Sequence, residues 1–186
     1  MRTPTTAGVW WTTTEIGFTP MPKSQSVPPD YDYWTDLSHI PEAPTQHKKD
    51  AFSGARYNLL PYRDHLVLVK DGKQVVPGIT AHAAIGHSPG HYIYAIESRG
   101  ETLIDIGDLS HHQVLLLKRP RWQFEFDYDS AKAAETRIRL FDQIVQERHA
   151  ILAYHFPFPG LGHLRKDADG YTWVATPIDL GSNTVS

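Results

Sequence analysis

Residues 79–108 read ITAHAAIGHSPGHYIYAIESRGETLIDIGD, and this stretch alternates short β-type runs with turns that contain glycine or proline. The runs cover about 79–84, 92–96 and 102–106, and each is rich in β-branched or aromatic residues. Runs of four to seven such residues between turn signals are typical of strands. The stretch therefore predicts neighbouring strands of one β-sheet.

The segment before this stretch predicts a helix and one more strand. Apolar side chains recur at helical spacing over about 47–60, and 66–69 has strand character before the probable turn at Asp71-Gly72. Residues 1–30 contain many Pro and Thr and sustain neither helical nor strand periodicity. We expect residues 1–30 to be irregular or disordered, and residues 31–186 to form one domain.

The segment after this stretch predicts a long helix followed by two strands. Asp129 or Ser130 can cap the helix, which should end near Arg148. Strand-like runs follow at about 151–155 and 171–175. The order is helix, four strands, helix, two strands, which predicts an α/β or α+β domain with helices packed on one face of a sheet. One further layer would be needed to cover the other face.

The composition excludes several classes of function. The 186 residues are 40% hydrophobic, and 18 basic against 21 acidic residues give a net charge of -3, so no charge excess favours nucleic acid or an anionic membrane. The absence of Cys excludes disulfides, Cys-ligated zinc and thiol nucleophiles. His, Asp and Glu remain as strong metal ligands, and no apolar run approaches the roughly 18 residues of a membrane span. We expect a cytoplasmic protein with a small-molecule substrate.

Three residues at or near strand ends are candidates for chemistry. His87 lies in a GHSPGH loop after one predicted strand, Asp108 closes a second, and His155 closes another. Ligands collect where rigid strands end in loops, and this donor set suits Zn²⁺, Mn²⁺ or Fe²⁺. Singly, each residue also has a structural interpretation, because His87 can serve a turn, Asp108 a cap and His155 the core. From spacing alone, a two-His, one-carboxylate iron site is a further alternative.

The local sequences around these residues resemble one family. GHSPGH resembles the GHTPGH signature of metallo-β-lactamase-fold proteins, whose first His, here His87, binds metal. LIDIGD is similar to the family's apolar strand ending in Gly-Asp, whose Asp, here Asp108, bridges two metals. AYHFPFPG resembles the segment of the last metal His, here His155, in the branch that contains methyl parathion hydrolases and lactonase-like enzymes. The resemblance covers roughly residues 31–177.

The resemblance implies a fold, a cofactor and roles for individual residues. The fold would be half of an αββα sandwich, mainly one mixed sheet with helices on one face. The cofactor would be Zn²⁺, two ions in the intact family, with His87 on one ion, His155 on the other and Asp108 shared. No catalytic residue beyond these ligands is implied. Other histidines close to the motifs are expected beside the ligands or at the pocket, namely His91, His111 and His112.

The sequence also departs from the family. Relatives carry His-x-His-x-Asp-His in the first half of the fold, and this sequence contains no such string. Each metal would keep one His and one Asp oxygen, fewer than the three protein ligands of typical catalytic zinc sites. The resemblance therefore implies a hydrolase of ester, lactone or phosphotriester-like substrates that acts through a metal-bound hydroxide and is impaired here. The alternative is a noncatalytic truncated fragment, or a half-domain that forms a homodimer over its apolar sheet face.

Residues 122–127 are interpreted as structural. Glu125 and Asp127 are expected on a solvated face or as charges at the entry to the long helix, rather than as an acid/base pair. Trp122, Phe124 and Phe126 alternate, which favours one face of a strand packed in the core, with substrate contact as the second interpretation.

Overall fold

The computed structural model describes residues 29–41, 43 and 45–177. The chain divides into two compact units, Met1–Leu68 and Val69–Ser186. The segment predicted to be irregular, residues 1–30, lies outside the described residues up to position 28, and Pro29 begins the first helix. Within the described part of the chain, none of the helices has both the length and the apolar character needed to cross a membrane.

The described part of the first unit is helical. Its elements are α1 (Pro29–Thr35), a 3₁₀ turn (Leu37–His39), α2 (Gln46–Leu59) and a second 3₁₀ turn (Leu60–His65). The side chain of Thr45 accepts a hydrogen bond from a backbone N–H of the first turn of α2, which begins the helix one residue before the predicted position. Phe52 is buried and packs against the rings of Tyr33 and Trp34.

The second unit is built on a seven-stranded mixed sheet. Its strands are β1 (Lys73–Val76), β2 (Ile79–Ala83), β3 (Tyr92–Ser98), β4 (Glu101–Asp105), β5 (Ala150–Leu152), β6 (Leu161–Lys166) and β7 (Tyr171–Ala175). They lie side by side in chain order, and every neighbouring pair is antiparallel except β4 and β5, which are parallel. The helices are α3 (Leu115–Lys118) and α4 (Ser130–Glu147), and a 3₁₀ turn spans Gly107–Leu109. The prediction of an α/β fold with one mixed sheet is confirmed.

Helix α4 provides the crossover between the two parallel strands. Of the two predicted caps, Asp129 is the one that caps its N-terminus, and the helix ends before Arg148, near the predicted position. Arg148 has the left-handed conformation, with a φ of 57°. Phe141 of α4 is fully buried in one core cluster with Ile104 of β4 and Ile151 of β5. Burial of each such side chain stabilises the fold by about 1.5–3 kcal/mol.

The structure differs from the sequence prediction at two strands. Residues 66–69 form no strand, and the edge strand is β1, which follows the Asp71-Gly72 turn instead of preceding it. Strand β6 lies between the two runs that the sequence predicts as strands, and LGHLRK itself indicates none because it has neither β-branched residues nor apolar alternation. Its pairing with β5 and β7 makes it a strand, and a Cβ at Gly162 would lie 2.3 Å from the carbonyl oxygen of Val174.

Strand directions bring three loops together. Strands β2 and β4 are both antiparallel to β3, and β4 is parallel to β5. Strands β2, β4 and β5 therefore all point the same way, so their C-terminal ends lie at one end of the sheet. The loops that follow these three strands carry the candidate residues.

The sheet face away from α4 is apolar and only partly buried. The register places Tyr94, Ile96 and Leu103 on this face, whereas Ile93 and Ile104 line the face that packs toward α4. The side chains of the first three are half-buried. The homodimer expected over this face stays a prediction.

Candidate metal site

The loop after β2 holds His87 in place through its backbone. Gly86 has a φ of 143°, and a Cβ there would lie 2.4 Å from the Cα of Ala133 in α4, so only glycine allows this close approach. The N–H groups of Tyr128 and Asp129 donate to the carbonyls of His87 and Gly86, each at 2.9 Å. The GHSPGH loop is thus fastened to the segment that enters α4.

The loop after β4 presents Asp108 in a 3₁₀ turn that His91 supports. The backbone N–H of Asp108 donates to Nε2 of His91 at 3.1 Å, so Nδ1 of His91 carries the proton and donates to the Ala84 carbonyl at 3.0 Å. Gly107 has a φ of 46°, and a Cβ there would lie 3.0 Å from Nε2 of His91. Both ring nitrogens of His91 therefore make hydrogen bonds to the backbone, and His91 supports the Asp108 turn rather than offering a metal ligand.

Three imidazoles converge on the Asp108 carboxylate. Nε2 of His155 lies 2.6 Å from Oδ1, and Nε2 of His111 lies 3.4 Å from the same oxygen. On the other side, Nε2 of His87 lies 3.8 Å from Oδ2. The two carboxylate oxygens thus face different histidines, and the three residues selected from the sequence do lie together, with His111 as a fourth member.

The histidines hold Asp108 in its charged form. The hydrogen bond with His111 is the largest cause that lowers the pKa of Asp108 well below its ordinary value of 3.8. Partial burial opposes this shift, while His87 and the hydrogen bond with His155 add to it. Asp108 is therefore a carboxylate over the whole physiological pH range, ready to accept hydrogen bonds or a cation.

The donor set fits a divalent ion. One ligand atom each from His87, Asp108 and His111 lies within 4.8 Å of the other two. Two donors that sit about 2.1 Å from a tetrahedral zinc ion are about 3.4 Å apart. Oδ1 of Asp108 lies 3.4 Å from His111 and Oδ2 lies 3.8 Å from His87, so each oxygen has an imidazole at a distance close to this value. The 2.6 Å between His155 and Asp108 is a hydrogen-bond distance, so His155 would have to move slightly before both could bind metal.

The sequence predicts His111 beside the ligands or at the pocket, and in the structure it lies among the candidate donors themselves. Its Nδ1 is buried without a hydrogen-bond partner among the residues that the structure describes, and its Nε2 points at Asp108. His112, by contrast, turns away, because its Nδ1 accepts from the backbone N–H groups of Val114 and Leu115 at the start of α3. One of the two adjacent histidines thus belongs to the site, and the other holds the turn that leads into α3.

Asp127 corrects the sequence interpretation. Glu125 is exposed as expected, but Asp127 is only 3% exposed, and its Oδ1 accepts from Nδ1 of His87 at 3.0 Å. The expectation of a solvated or helix-entry charge is wrong for Asp127, because the entry charge is Asp129, the N-cap. The spacing in the sequence already argues against a helix-entry charge, because Asp127 lies two residues before the N-cap Asp129 and cannot lie in the first helical turn.

The aromatic residues of this loop differ from the prediction, and one of them, Phe124, lies beside His111. Trp122 and Phe126 are 53% and 49% exposed, and the loop forms no strand, so the core prediction is wrong for both. Phe124 is half-buried and stacks on His111, with ring centroids 4.4 Å apart. Its ring also contacts that of Phe126. An apolar surface therefore borders the metal donors.

Several solved hydrolases share this architecture. AidC, a dizinc quorum-quenching lactonase solved with a product, aligns with a TM-score of 0.73 and 24% identity over 81% of this chain and 53% of AidC. AbOPH, a hydrolase in the β-lactamase superfamily, aligns with a TM-score of 0.72 and 28% identity over 82% of this chain and 54% of AbOPH. A probable metal-dependent hydrolase from Staphylococcus aureus aligns with a TM-score of 0.50 and 23% identity over 76% and 50% of the two chains.

These comparisons establish the fold and its extent. The architecture matches that of metallo-β-lactamase-fold hydrolases, and the chain spans about half the length of the solved structures that it matches. No protein-family model and no curated protein sequence matches the chain.

Proposed function

We propose that this protein is a metal-dependent hydrolase of lactones, esters or phosphotriesters, similar to the methyl parathion hydrolase and lactonase-like branch of its fold. The likeness to AbOPH, a hydrolase at 28% identity, supports hydrolysis as the class of reaction. The substrate classes rest on the GHSPGH, LIDIGD and AYHFPFPG segments, which resemble that branch in local sequence.

One observation carries the proposal, namely the way in which the Asp108 carboxylate is shared. Its Oδ2 faces His87, and its Oδ1 faces His155 and His111. A carboxylate can offer one oxygen to each of two ions, and the division of its two oxygens between different imidazoles supports His87 and His155 as ligands of separate ions. His111 supplies a further donor on the Oδ1 side. The chain has no His-x-His-x-Asp-His string, so we propose that it binds zinc weakly.

The chemistry follows from the donors and their surroundings. A zinc ion held there would act as a Lewis acid on water and on a carbonyl or phosphoryl oxygen. Asp108 and the imidazoles would fix its position, and exposed rings near His155 would contact apolar parts of a substrate. Tyr154 packs edge-on against His155, and Phe158 is 90% exposed in the same loop.

Metal titration tests the proposal first. Chelator-treated protein is titrated with Zn²⁺ in competition with a chromophoric chelator, together with variants H87A and D108N. We expect zinc binding by the wild type that both variants lose. The matched control is H163A, which removes an exposed histidine of β6 and should bind zinc like the wild type. No zinc binding by the wild type anywhere in this titration, or equal binding by H87A, would overturn the proposal and favour the noncatalytic alternative.

Hydrolysis assays then separate the substrate classes. An aryl ester, a lactone and an aryl phosphotriester are offered to the zinc-loaded wild type and to D108N. We expect zinc-dependent turnover of at least one, absent in D108N and kept in H163A. Hydrolysis that persists in D108N would show that the reaction takes place elsewhere.

A further inference from the structure

A buried arginine connects the segments that carry the candidate ligands. Arg137 of α4 is only 1% exposed, and its Nε donates to the Leu109 carbonyl at 2.8 Å. Its Nη1 donates to the carbonyls of Pro120 and Trp122 at 3.0 and 3.1 Å. Since Leu109 directly follows Asp108, the same guanidinium ties the Asp108 turn to the loop that leads toward α4.

The same guanidinium faces a buried carboxylate. Nη2 of Arg137 lies 3.7 Å from Oδ2 of Asp127, whose side chain is fully buried. Burial lowers the pKa of Arg137, and the negative charge of Asp127 opposes that shift. Each buried charge would be costly without the other, so the two form one unit.

Asp127 in turn contacts the ring of His87. Its Oδ1 lies 3.0 Å from Nδ1 of His87, and a carboxylate can only accept at this distance. The proton of the neutral imidazole is therefore held on Nδ1, and the lone pair is left on Nε2. That nitrogen faces Oδ2 of Asp108, on the side where the candidate donors meet.

We propose that Asp127, held by Arg137, is a positioning residue that fixes the tautomer and orientation of His87 so that Nε2 is free to bind a cation. The consequence for zinc affinity rests on the proposed function, whereas the tautomer of His87 can be measured without metal. Carboxylates that orient metal-binding histidines in this way commonly change metal affinity by about 10- to 100-fold when removed.

The variant D127N gives a sharp test because it keeps the shape and changes the pattern of donors. A guanidinium only donates, so the amide oxygen of Asn should turn toward Arg137 and its NH₂ toward His87. Nδ1 of His87 would then have to accept, which moves the proton to Nε2 and blocks that nitrogen. The same kind of substitution beside a catalytic histidine is known to produce the wrong tautomer. A role in packing alone predicts no such inversion.

The first measurement is ¹⁵N NMR of the histidine rings in the metal-free chain of 186 residues at mildly alkaline pH. The His87 signals are assigned by their absence in H87Q. We expect the Nδ1–H tautomer in the wild type and the Nε2–H tautomer in D127N. The control D142N removes a carboxylate that is hydrogen-bonded to Tyr171, away from the site, and should leave the His87 spectrum unchanged. An unchanged tautomer in D127N would overturn the inference.

The second measurement is zinc affinity by chelator competition. We expect the dissociation constant to rise about 10- to 100-fold in D127N and to stay within twofold of wild type in D142N. A zinc-binding wild type whose affinity is unchanged in D127N would overturn the inference while leaving the proposed function intact. A wild type that binds no zinc would overturn the proposed function, and the NMR result would then decide the inference alone.

Discussion

Substitution of Arg137 by methionine removes the guanidinium and keeps most of the side-chain volume. Arg137 donates three hydrogen bonds to the carbonyls of Leu109, Pro120 and Trp122 and lies opposite the buried carboxylate of Asp127. R137M therefore leaves a buried negative charge without its cationic neighbour and three carbonyls without their donors.

The expected loss is large compared with the stability of the domain. Removing one partner of a buried ion pair costs about 3–5 kcal/mol because the remaining charge stays desolvated. Domains of this kind unfold with a total free energy of about 5–15 kcal/mol. R137M should therefore remain folded at low temperature but unfold at a much lower urea concentration.

Urea unfolding followed by circular dichroism measures this loss. The control is R139M, which removes an exposed arginine of the same helix and should change the free energy of unfolding by no more than about 0.5 kcal/mol. The double variant R137M/D127N should be more stable than R137M, because a neutral amide replaces the buried charge. A loss below about 1 kcal/mol in R137M, or a double variant no more stable than R137M, would refute this reasoning.

Two further substitutions test the backbone and the surface. G86A should lower the free energy of unfolding by at least about 2 kcal/mol, because its Cβ would overlap helix α4 at a φ that only glycine adopts readily. The control G54A has open space around it on α2 and should be neutral or slightly stabilising. Equal stability of both variants in urea would contradict the argument. The hydrogen bond from Lys118 is the main cause that holds the pKa of Asp167 at about 2, below its ordinary 3.8. Its folded pKa is depressed, so its stabilisation is complete above about pH 4 and is lost as the pH falls toward 2. Thermal melts should therefore show a weaker acid dependence in D167N than in the wild type over this range, and parallel curves for the two proteins would exclude the contribution.

Local chemistry explains why much of the fold could be predicted. The sequence predicts helix α4 with its cap at Asp129 or Ser130 and its end near Arg148, because capping and amphipathic spacing are properties of neighbouring residues. The strands on either side of the GHSPGH loop could be predicted for the same reason, because turns with Gly or Pro mark their ends. Strand β6 was missed because its partners, β5 and β7, decide its conformation.

The sequence by itself determined the long helix α4, the strands on either side of the GHSPGH loop and the candidates His87, Asp108 and His155, because turns, caps and motifs are encoded within a few residues of each other. Only the tertiary structure decided that Asp127 is buried against His87 and that His111, rather than His112, points at Asp108. The physical reason is that Asp127 and His87 are 40 residues apart in the chain. Their contact depends on strand direction and helix packing, which no local pattern contains.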